Sequence, residues 1–246
     1  MTPPMIALCT DFGLAGPYTG QVKAVLHRIA PGVHVIDLFA DLPAARPEPA
    51  AYLLAAYGPW FQAGTVLLAV VDPGVGGARA AVVVEADRRF YVGPDNGLFE
   101  LVLRRAGDAR ASEIIWRPEQ LSASFHGRDL FAPVAAQLAA GTLPSGLLHG
   151  TSISRFPDWP DELPQIVYVD GYGNAMTGLR ASALPAQARL RAGAHDLMRA
   201  RTFSDLPPGA AFWYENSNGL AEIAVNAGRA DRTLGLSVGA PVAILA

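Results

Sequence analysis

The sequence predicts an α/β protein with an N-terminal, Rossmann-like α/β/α domain followed by a small C-terminal β-barrel domain. From residue 5 to residue 140, apolar runs of strand length alternate with helical patterns. Beyond residue 164, short strand-like runs are separated by turn residues. A stretch rich in Pro, Ser and Gly separates the two regions. We therefore expect an N-terminal domain at residues 1–150, a linker at 151–164 and a C-terminal domain at 165–246.

The elements of the N-terminal domain follow from hydrophobic spacing. Val22, Leu26 and Ile29 recur at helical spacing, and Pro31 ends that helix. The apolar run at residues 65–71 is typical of a buried parallel strand. In chain order, strands are predicted at residues 5–10, 34–38, 65–71, 80–85, 89–92 and 113–116. The predicted helices are residues 18–29, 50–57, 98–104 and 130–140.

The C-terminal region lacks a long amphipathic helix, so an all-β barrel fits it best. Its predicted strands are residues 165–169, 188–191, 211–214, 221–225 and 242–245.

Composition argues against several classes of protein. Hydrophobic residues make up 51% of the 246 residues, enough for a sizeable buried core. Because the net charge is −3 and no basic run is present, we expect neither nucleic acid nor a membrane as a partner. The one cysteine, Cys9, permits no internal disulfide, and residues 1–4 do not resemble the start of a secretory signal. We expect a cytoplasmic protein.

Three polar clusters follow predicted strands, which is where open α/β sheets bind ligands. The first is residues 10–13 (TDFG). Asp11 can accept two hydrogen bonds from the hydroxyls of a ribose, or it can serve as a turn or helix cap. In the second, residues 72–79 (DPGVGGAR), glycines permit close approach of a ligand. There Asp72 and Arg79 can pair, either for chemistry or to brace the loop.

The third cluster is residues 125–129 (FHGRD). His126 is the histidine best placed for acid–base work, because its ordinary pKa lies near neutrality. A structural histidine is the alternative, and Asp129 can simply cap the helix that follows. The five histidines are scattered and one cysteine forms no thiolate cluster, so no metal site is predicted.

Six motifs occur along nearly the whole chain: residues 8–13 (LCTDFG), 71–76 (VDPGVG), 91–97 (YVGPDNG), 125–129 (FHGRD), 169–174 (VDGYGN) and 216–219 (NSNG). In this order they resemble the S-adenosyl-L-methionine (SAM) hydroxide adenosyltransferases, also called SAM hydrolases, which are relatives of fluorinase and chlorinase. The resemblance implies an N-terminal α/β domain, a C-terminal β-barrel and a homotrimer. Each site would lie between the N-terminal domain of one subunit and the C-terminal domain of its neighbour.

The resemblance also implies a catalytic triad of Asp72, Arg79 and His126, which would activate water. Fluorinase-like enzymes carry Tyr-Ser where this chain has His126 and Gly127, and they carry an inserted loop for which the chain has no candidate. Hydroxide is therefore favoured over halide as the nucleophile.

The implied substrate contacts are Asp11 with the ribose hydroxyls, Asp170 with the methionine ammonium, Ser217 with the methionine portion, Asn174 and Tyr172 with adenine, and the backbone at Asn226 and Ala227 with adenine. The expected reaction is hydrolysis of SAM to adenosine and L-methionine by attack of water on the ribose 5′ carbon. SAM is then the substrate, and no cofactor is expected. The alternatives are a halide-using SAM transferase and a non-catalytic adenosine- or SAM-binding protein.

Overall fold

The computed structural model describes residues 4–245 and divides the chain into two compact units, Met1–Phe156 and Pro157–Ala246. Residues 1–3, on which the predicted absence of a secretory signal partly rests, lie outside the described residues, as does Ala246. None of the described helices is long and apolar enough to cross a membrane.

The first unit contains a seven-stranded sheet with the order β2-β1-β3-β5-β4-β6-β7. Its strands are β1 (Met5–Thr10), β2 (His34–Phe39), β3 (Val66–Val70), β4 (Ala81–Ala86), β5 (Arg89–Pro94), β6 (Ala109–Ile114) and β7 (Leu148–Gly150). Its helices are α1 (Tyr18–Ile29), α2 (Pro47–Tyr57), α3 (Glu100–Arg105) and α4 (Ala132–Ala139).

The strands β2, β1, β3 and β5 run parallel, whereas β4, β6 and β7 complete the sheet with antiparallel pairs. Because parallel strands end on the same side, the segments that follow β1, β3 and β5 meet at one edge of the sheet. That edge is where open α/β sheets bind ligands.

Both faces of the parallel strands are buried. Leu8 and Leu68 pack with Leu26 of α1 and with residues of α4 in one core cluster. The alternate residues, such as Ala7 and Leu67, point to the opposite face and are also fully buried. The helices α2 and α3 pack together. A mixed sheet covered on both faces explains why β3 is apolar along its whole length.

The second unit contains two antiparallel sheets, with the orders β11-β10-β14 and β12-β13-β9-β8. Its elements are β8 (Leu163–Val169), β9 (Ala175–Arg180), β10 (Arg189–Ala192), β11 (His195–Leu197), β12 (Ala211–Glu215), β13 (Leu220–Val225), α5 (Ala230–Thr233) and β14 (Val242–Leu245). Isolated bridges join Gln165 to Pro241 and Arg199 to Trp213. Since no continuous ladder joins the two sheets among the described strands, a closed barrel stays a prediction.

The structure agrees with the predicted bounds of β1 and α1 residue for residue and corrects several others. The strand β6 ends at Ile114 and not at residue 116, and β8 begins at Leu163, inside the predicted linker. Three strands were not predicted: β7, β9 and β11. The strand β9 was missed because Gly178 interrupts its apolar pattern. A Cβ there would lie 2.6 Å from the Cβ of Leu163, so the strand pairing itself requires the glycine.

Candidate active site

A cavity of about 160 Å³ lies where β1 and β3 end. Asp11 directly follows β1 and Asp72 lies two residues beyond β3. The backbone N–H of Asp11 bonds to the carbonyl of Val70 at 3.4 Å, which holds the two strand ends together. The cavity is lined by Asp11, Phe12, Ala45, Val70, Asp72, Pro73, Val75, Ser124, Phe125, His126 and Gly127. Residues from all three predicted polar clusters therefore line this cavity.

Asp72 and Arg79 form a largely buried ion pair in which two guanidinium nitrogens contact the carboxylate. The Arg79 Nε donates to both Asp72 carboxylate oxygens, at 3.0 and 3.1 Å, and Nη2 donates to Oδ2. Only 4% of the Asp72 side chain and 12% of the Arg79 side chain are exposed. The guanidinium also lies over the ring of Phe131, 5.2 Å from its centroid. This two-point pairing fixes the orientation of both groups.

The third member of the predicted triad, His126, contacts the same guanidinium. Nη2 of Arg79 lies 2.9 Å from Nδ1 of His126. The ring immediately precedes a π-helical turn, Gly127–Phe131, that leads into α4. Burial lowers the pKa of His126 below its ordinary value and the positive charge of Arg79 lowers it further, whereas Asp72 raises it. The structure therefore brings Asp72, Arg79 and His126 into one hydrogen-bonded chain.

Asp11 faces the cavity from the opposite strand end. Its Oδ2 accepts a hydrogen bond of 2.9 Å from the backbone N–H of Ala45. Burial raises the pKa of Asp11 above its ordinary value, the Ala45 hydrogen bond lowers it, and the nearby charge of Asp72 raises it. One carboxylate oxygen thus bonds to the backbone N–H of Ala45, and the carboxylate keeps further acceptor positions for a ligand hydroxyl.

A wider cleft of about 530 Å³ adjoins this cavity and shares with it Asp11, Phe12, Ser124 and Phe125. The rings of Phe12, Tyr18 and Phe125 contact one another with centroids 5.5–6.3 Å apart. Together they form an apolar wall beside the polar groups, suited to exclude water from one side of a ligand.

Arg128 and Asp129 serve local structure. Arg128 pairs with the Asp129 carboxylate and lies over the ring of Phe125. Asp129 also accepts the backbone N–H of Ser122 at 3.0 Å, which ties the preceding loop to this turn.

In the second unit, Asp170 and Asn174 form one hydrogen-bonded turn between β8 and β9. The Asp170 carboxylate accepts the backbone N–H of Asn174 at 2.9 Å and its Nδ2 at 3.2 Å. Tyr172, at the tip of the turn, is 81% exposed. Because Asp170 holds the amide nitrogen, the Oδ1 of Asn174 is the atom left to accept a hydrogen bond from a ligand.

The remaining predicted substrate residues lie at the two ends of β13. Asn226 and Ala227 follow this strand at the end nearest the Asp170 turn, since Ile223 pairs with Ala175. The Asn226 amide donates to the carbonyl of Leu206 at 2.7 Å. Ser217 precedes β13 at its far end, and a six-residue strand spans about 17–20 Å. The structure therefore places Asn226 and Ala227 at the end of β13 that is nearer the Asp170 turn, and Ser217 just before its other end.

Several lining residues escaped prediction. Ala45 has a φ of +55°, a conformation rare for alanine that no sequence signal indicates. Phe12 and Phe125 lie within motifs quoted above but were not predicted as site residues. Among residues 4–245, no group of three or more His, Cys, Asp and Glu residues is arranged to hold a metal ion. That no metal is required stays a prediction.

Three hydrogen-bonded polar side chains lie at a cavity where the parallel strands end. This arrangement is typical of α/β proteins with an enzyme-like site. A family model of the SAM hydroxide adenosyltransferase N-terminal domain matches residues 6–147, and the model of its C-terminal domain matches residues 164–243. The chain belongs to the SAM hydroxide adenosyltransferase family, which confirms the resemblance drawn from the six motifs.

Similar proteins cover nearly the whole chain. A protein from Thermus thermophilus named (R)-S-adenosyl-L-methionine hydrolase is 43% identical over 96% of this chain and 97% of its own length. One of the same name from Salinispora arenicola is 37% identical over 96% and 95%. The crystal structure of an uncharacterised conserved protein from Thermotoga maritima matches with a TM-score of 0.86 and 32% identity, over 98% of this chain and 100% of that one.

Proposed function

We propose that the protein hydrolyses SAM to adenosine and L-methionine, with water attacking the ribose 5′ carbon. Membership of the family and the names of near full-length relatives support the reaction. The observation that carries the proposal is the single guanidinium of Arg79, which bonds Asp72 and His126 together at the cavity wall. SAM is the substrate in this proposal, and no cofactor takes part.

The contact with Arg79 determines the tautomer of His126. A guanidinium has donors only, so Nδ1 must accept, and neutral His126 then carries its proton on Nε2. The part of the ring that Arg79 leaves free therefore offers an N–H donor and no basic nitrogen. In this state His126 acts by donating a hydrogen bond to a bound hydroxide, with the charge of Arg79 behind it.

The bond changes are those of a substitution at carbon. The oxygen of water forms a bond to C5′, the C5′–S bond breaks, and its electron pair stays on sulfur in methionine. The second proton of the attacking water leaves to solvent before or during the attack. Because the sulfonium leaves without needing a proton, the protein must only hold and activate the water. Alignment of the reactants alone can remove roughly 7–11 kcal/mol of a barrier in the best cases.

Substrate recognition is proposed to follow the residues carried over by motif. The Asp11 carboxylate accepts hydrogen bonds from the ribose hydroxyls, and Oδ1 of Asn174 accepts one from the exocyclic amino group of adenine, beside Tyr172. The backbone at Asn226 and Ala227 lies at the same end of β13, which supports a shared adenine site. Ser217 binds the methionine portion at the far end.

Asp170 is proposed to bind the methionine ammonium. Its carboxylate already accepts two hydrogen bonds from Asn174. An ionised carboxylate has about four acceptor positions, so Asp170 can orient the Asn174 amide and still accept from the methionine ammonium. In the homotrimer that we expect, these groups come from the neighbouring subunit.

Hydroxide is proposed as the nucleophile because the chain carries His126 and Gly127 where fluorinase-like enzymes carry Tyr-Ser, and the packing around Gly127 is consistent with that difference. A Cβ at Gly127 would lie 2.9 Å from Cζ of Phe12 and 3.4 Å from the ring of Phe125. The serine that fluorinase-like enzymes carry at this place would displace the aromatic wall of the cavity. The packing of Phe12 and Phe125 therefore favours glycine at position 127.

The test is chromatography of the products after the pure protein acts on SAM in ¹⁸O-labelled water, with and without chloride. The expected products are ¹⁸O-labelled adenosine and unlabelled methionine in equal amounts, and chloride should change neither yield. A halogenated nucleoside would support a halide-using transferase instead. Bound but unchanged SAM would leave only a binding protein.

A further inference from the structure

The turn after β5 holds both ends of the 72–79 loop, which carries the Asp72–Arg79 ion pair. Asn96 Nδ2 donates to the carbonyl of Val71, directly before the loop, at 2.9 Å. The backbone N–H of Asp95 donates to the carbonyl of Ala80, directly after the loop, at 3.0 Å. Neighbouring residues of one turn thus bind the two residues that flank the loop.

This turn is itself firmly placed. A Cβ at Gly93 would lie 2.1 Å from the carbonyl oxygen of Ala69, so β5 approaches β3 more closely than any side chain would allow. The Oδ1 of Asn96 accepts the backbone N–H of Leu98 at 3.3 Å, which fixes the side-chain amide within the turn. The amide therefore presents its N–H to Val71 from a rigid base.

The tip of the loop contacts the segment that precedes His126. A Cβ at Gly76 would lie 2.4 Å from the carbonyl oxygen of Ala123. The 72–79 loop is thus held at its base by the turn after β5 and at its tip by the chain that leads to His126. A shift at either point changes where Arg79 meets the imidazole.

We propose that Asn96 is a positioning residue that sets the start of the 72–79 loop, so that the ion pair of Asp72 and Arg79 meets His126. Asn96 lines neither the cavity nor the wider cleft and acts only through the carbonyl of Val71. The inference rests on the proposed function, because it concerns the residues that activate water. It also gives a role to the motif at residues 91–97, which the mechanism leaves unused.

Two substitutions separate this role from a general effect on the turn. Asn96→Ala removes both side-chain hydrogen bonds. Asn96→Asp keeps an acceptor for the Leu98 N–H but places a carboxylate oxygen against the Val71 carbonyl. The matched control is Asp95→Asn, because the Asp95 side chain bonds to Ser154 and its backbone N–H is unchanged.

We expect both Asn96 variants to lower kcat by about 10- to 100-fold, the scale of a 1 Å misplacement, with the KM for SAM within about threefold. Asp95→Asn should stay within about twofold of the wild type in kcat. The melting temperature of each variant, measured alongside, shows whether the fold is retained.

A second measurement does not depend on activity: the NMR titration of the His126 ring. Its pKa is lowered by Arg79 and raised by Asp72, with smaller effects of Arg117 and Asp129. Within the ion pair, Arg79 lowers the pKa of His126 more than Asp72 raises it. If Asn96→Ala displaces the loop, the pKa of His126 should therefore rise.

Wild-type kcat and an unchanged His126 titration in Asn96→Ala would overturn the proposal. So would a fall in kcat matched by a lower melting temperature and a higher KM, since that describes a structural residue. If the wild-type protein releases no adenosine, the proposed function fails, while the titration still decides the role of Asn96.

Discussion

At the scale of single residues, Arg79 organises the chemistry of the cavity. Its guanidinium satisfies the Asp72 carboxylate and still donates to Nδ1 of His126. A buried carboxylate alone would be costly, and pairing removes most of that cost. Because Nδ1 must stay unprotonated to accept from Arg79, the neutral form of His126 is the working form.

This requirement gives the pH dependence a sign. The pKa of His126 lies below its ordinary value of about 6.5, through burial and the charge of Arg79. We expect kcat/KM to be constant at pH values above the lowered pKa of His126 and to fall as the pH drops through that pKa. The folded state also loses stability over this acidic interval, because the unfolded chain binds the proton more readily. Rates measured between about pH 4 and pH 8 test this, and a midpoint above the ordinary value would contradict it.

Removal of the imidazole should affect turnover more than binding. His126→Ala takes away the donor to the attacking oxygen, so kcat should fall by about 10²–10³-fold. Adenosine binding, measured by calorimetry, should weaken far less, because adenine and ribose are held elsewhere. His34→Ala, an exposed histidine of the same unit, is the matched control and should leave both unchanged. Equal losses in turnover and binding would make His126 a structural residue.

At the scale of elements, the path of the 72–79 loop depends on glycine at one position. Gly76 has a φ of +79°, and a Cβ there would meet the backbone of residue 123. Gly74 has no such conformation, and its nearest contacts would be Cγ of Arg79 at 3.8 Å and Oδ1 of Asp72 at 4.0 Å. Gly74 and Gly76, two of the three glycines of this loop, therefore have different physical reasons to be present.

A pair of substitutions tests this difference. Gly76→Ala should lower the free energy of unfolding by about 1–3 kcal/mol, through the strained φ and the clash, and should also lower kcat. Gly74→Ala should change the free energy of unfolding by no more than about 0.5 kcal/mol. Chemical denaturation of both variants measures the effect, and equal stabilities would show that the loop is free to move away from residue 123.

At the scale of the whole molecule, the proposed site needs residues from both units. The polar chain of Asp72, Arg79 and His126 lies in the first unit, and the predicted adenine residues lie in the second. We expect a homotrimer in which each site combines the first unit of one subunit with the second unit of its neighbour. The homotrimer and the cytoplasmic location both stay predictions.

Subunit mixing tests this arrangement. His126→Ala damages the first unit and Asn174→Ala the second, so each variant alone should be nearly inactive. Co-expressed in equal amounts, they should regain about a quarter of wild-type activity, because each mixed trimer contains one intact interface site. No recovery in mixed trimers, isolated through a different affinity tag on each variant, would place each site within a single chain.

Much of this protein was determined by local sequence. Hydrophobic period and turn residues were sufficient for β1 and α1, and they separated an α/β region from an all-β region, because these signals act between near neighbours. The six motifs were sufficient for the family. Short strands such as β7 and β11 were missed because three residues carry no period, and only their partners define them.

The tertiary structure alone decided how the polar groups meet. The adjacency of β1 and β3 brings Asp11 to Asp72, although 60 residues of chain lie between them. Spacing alone paired Arg79 only with Asp72, and the triad with His126 came from the family resemblance. The contact of Arg79 with His126 itself requires the packing of α4 beneath β3. The backbone N–H of Ala45 bonds Asp11 through a positive φ that is rare for alanine. Such contacts depend on strand order and packing between distant segments, which no local pattern encodes.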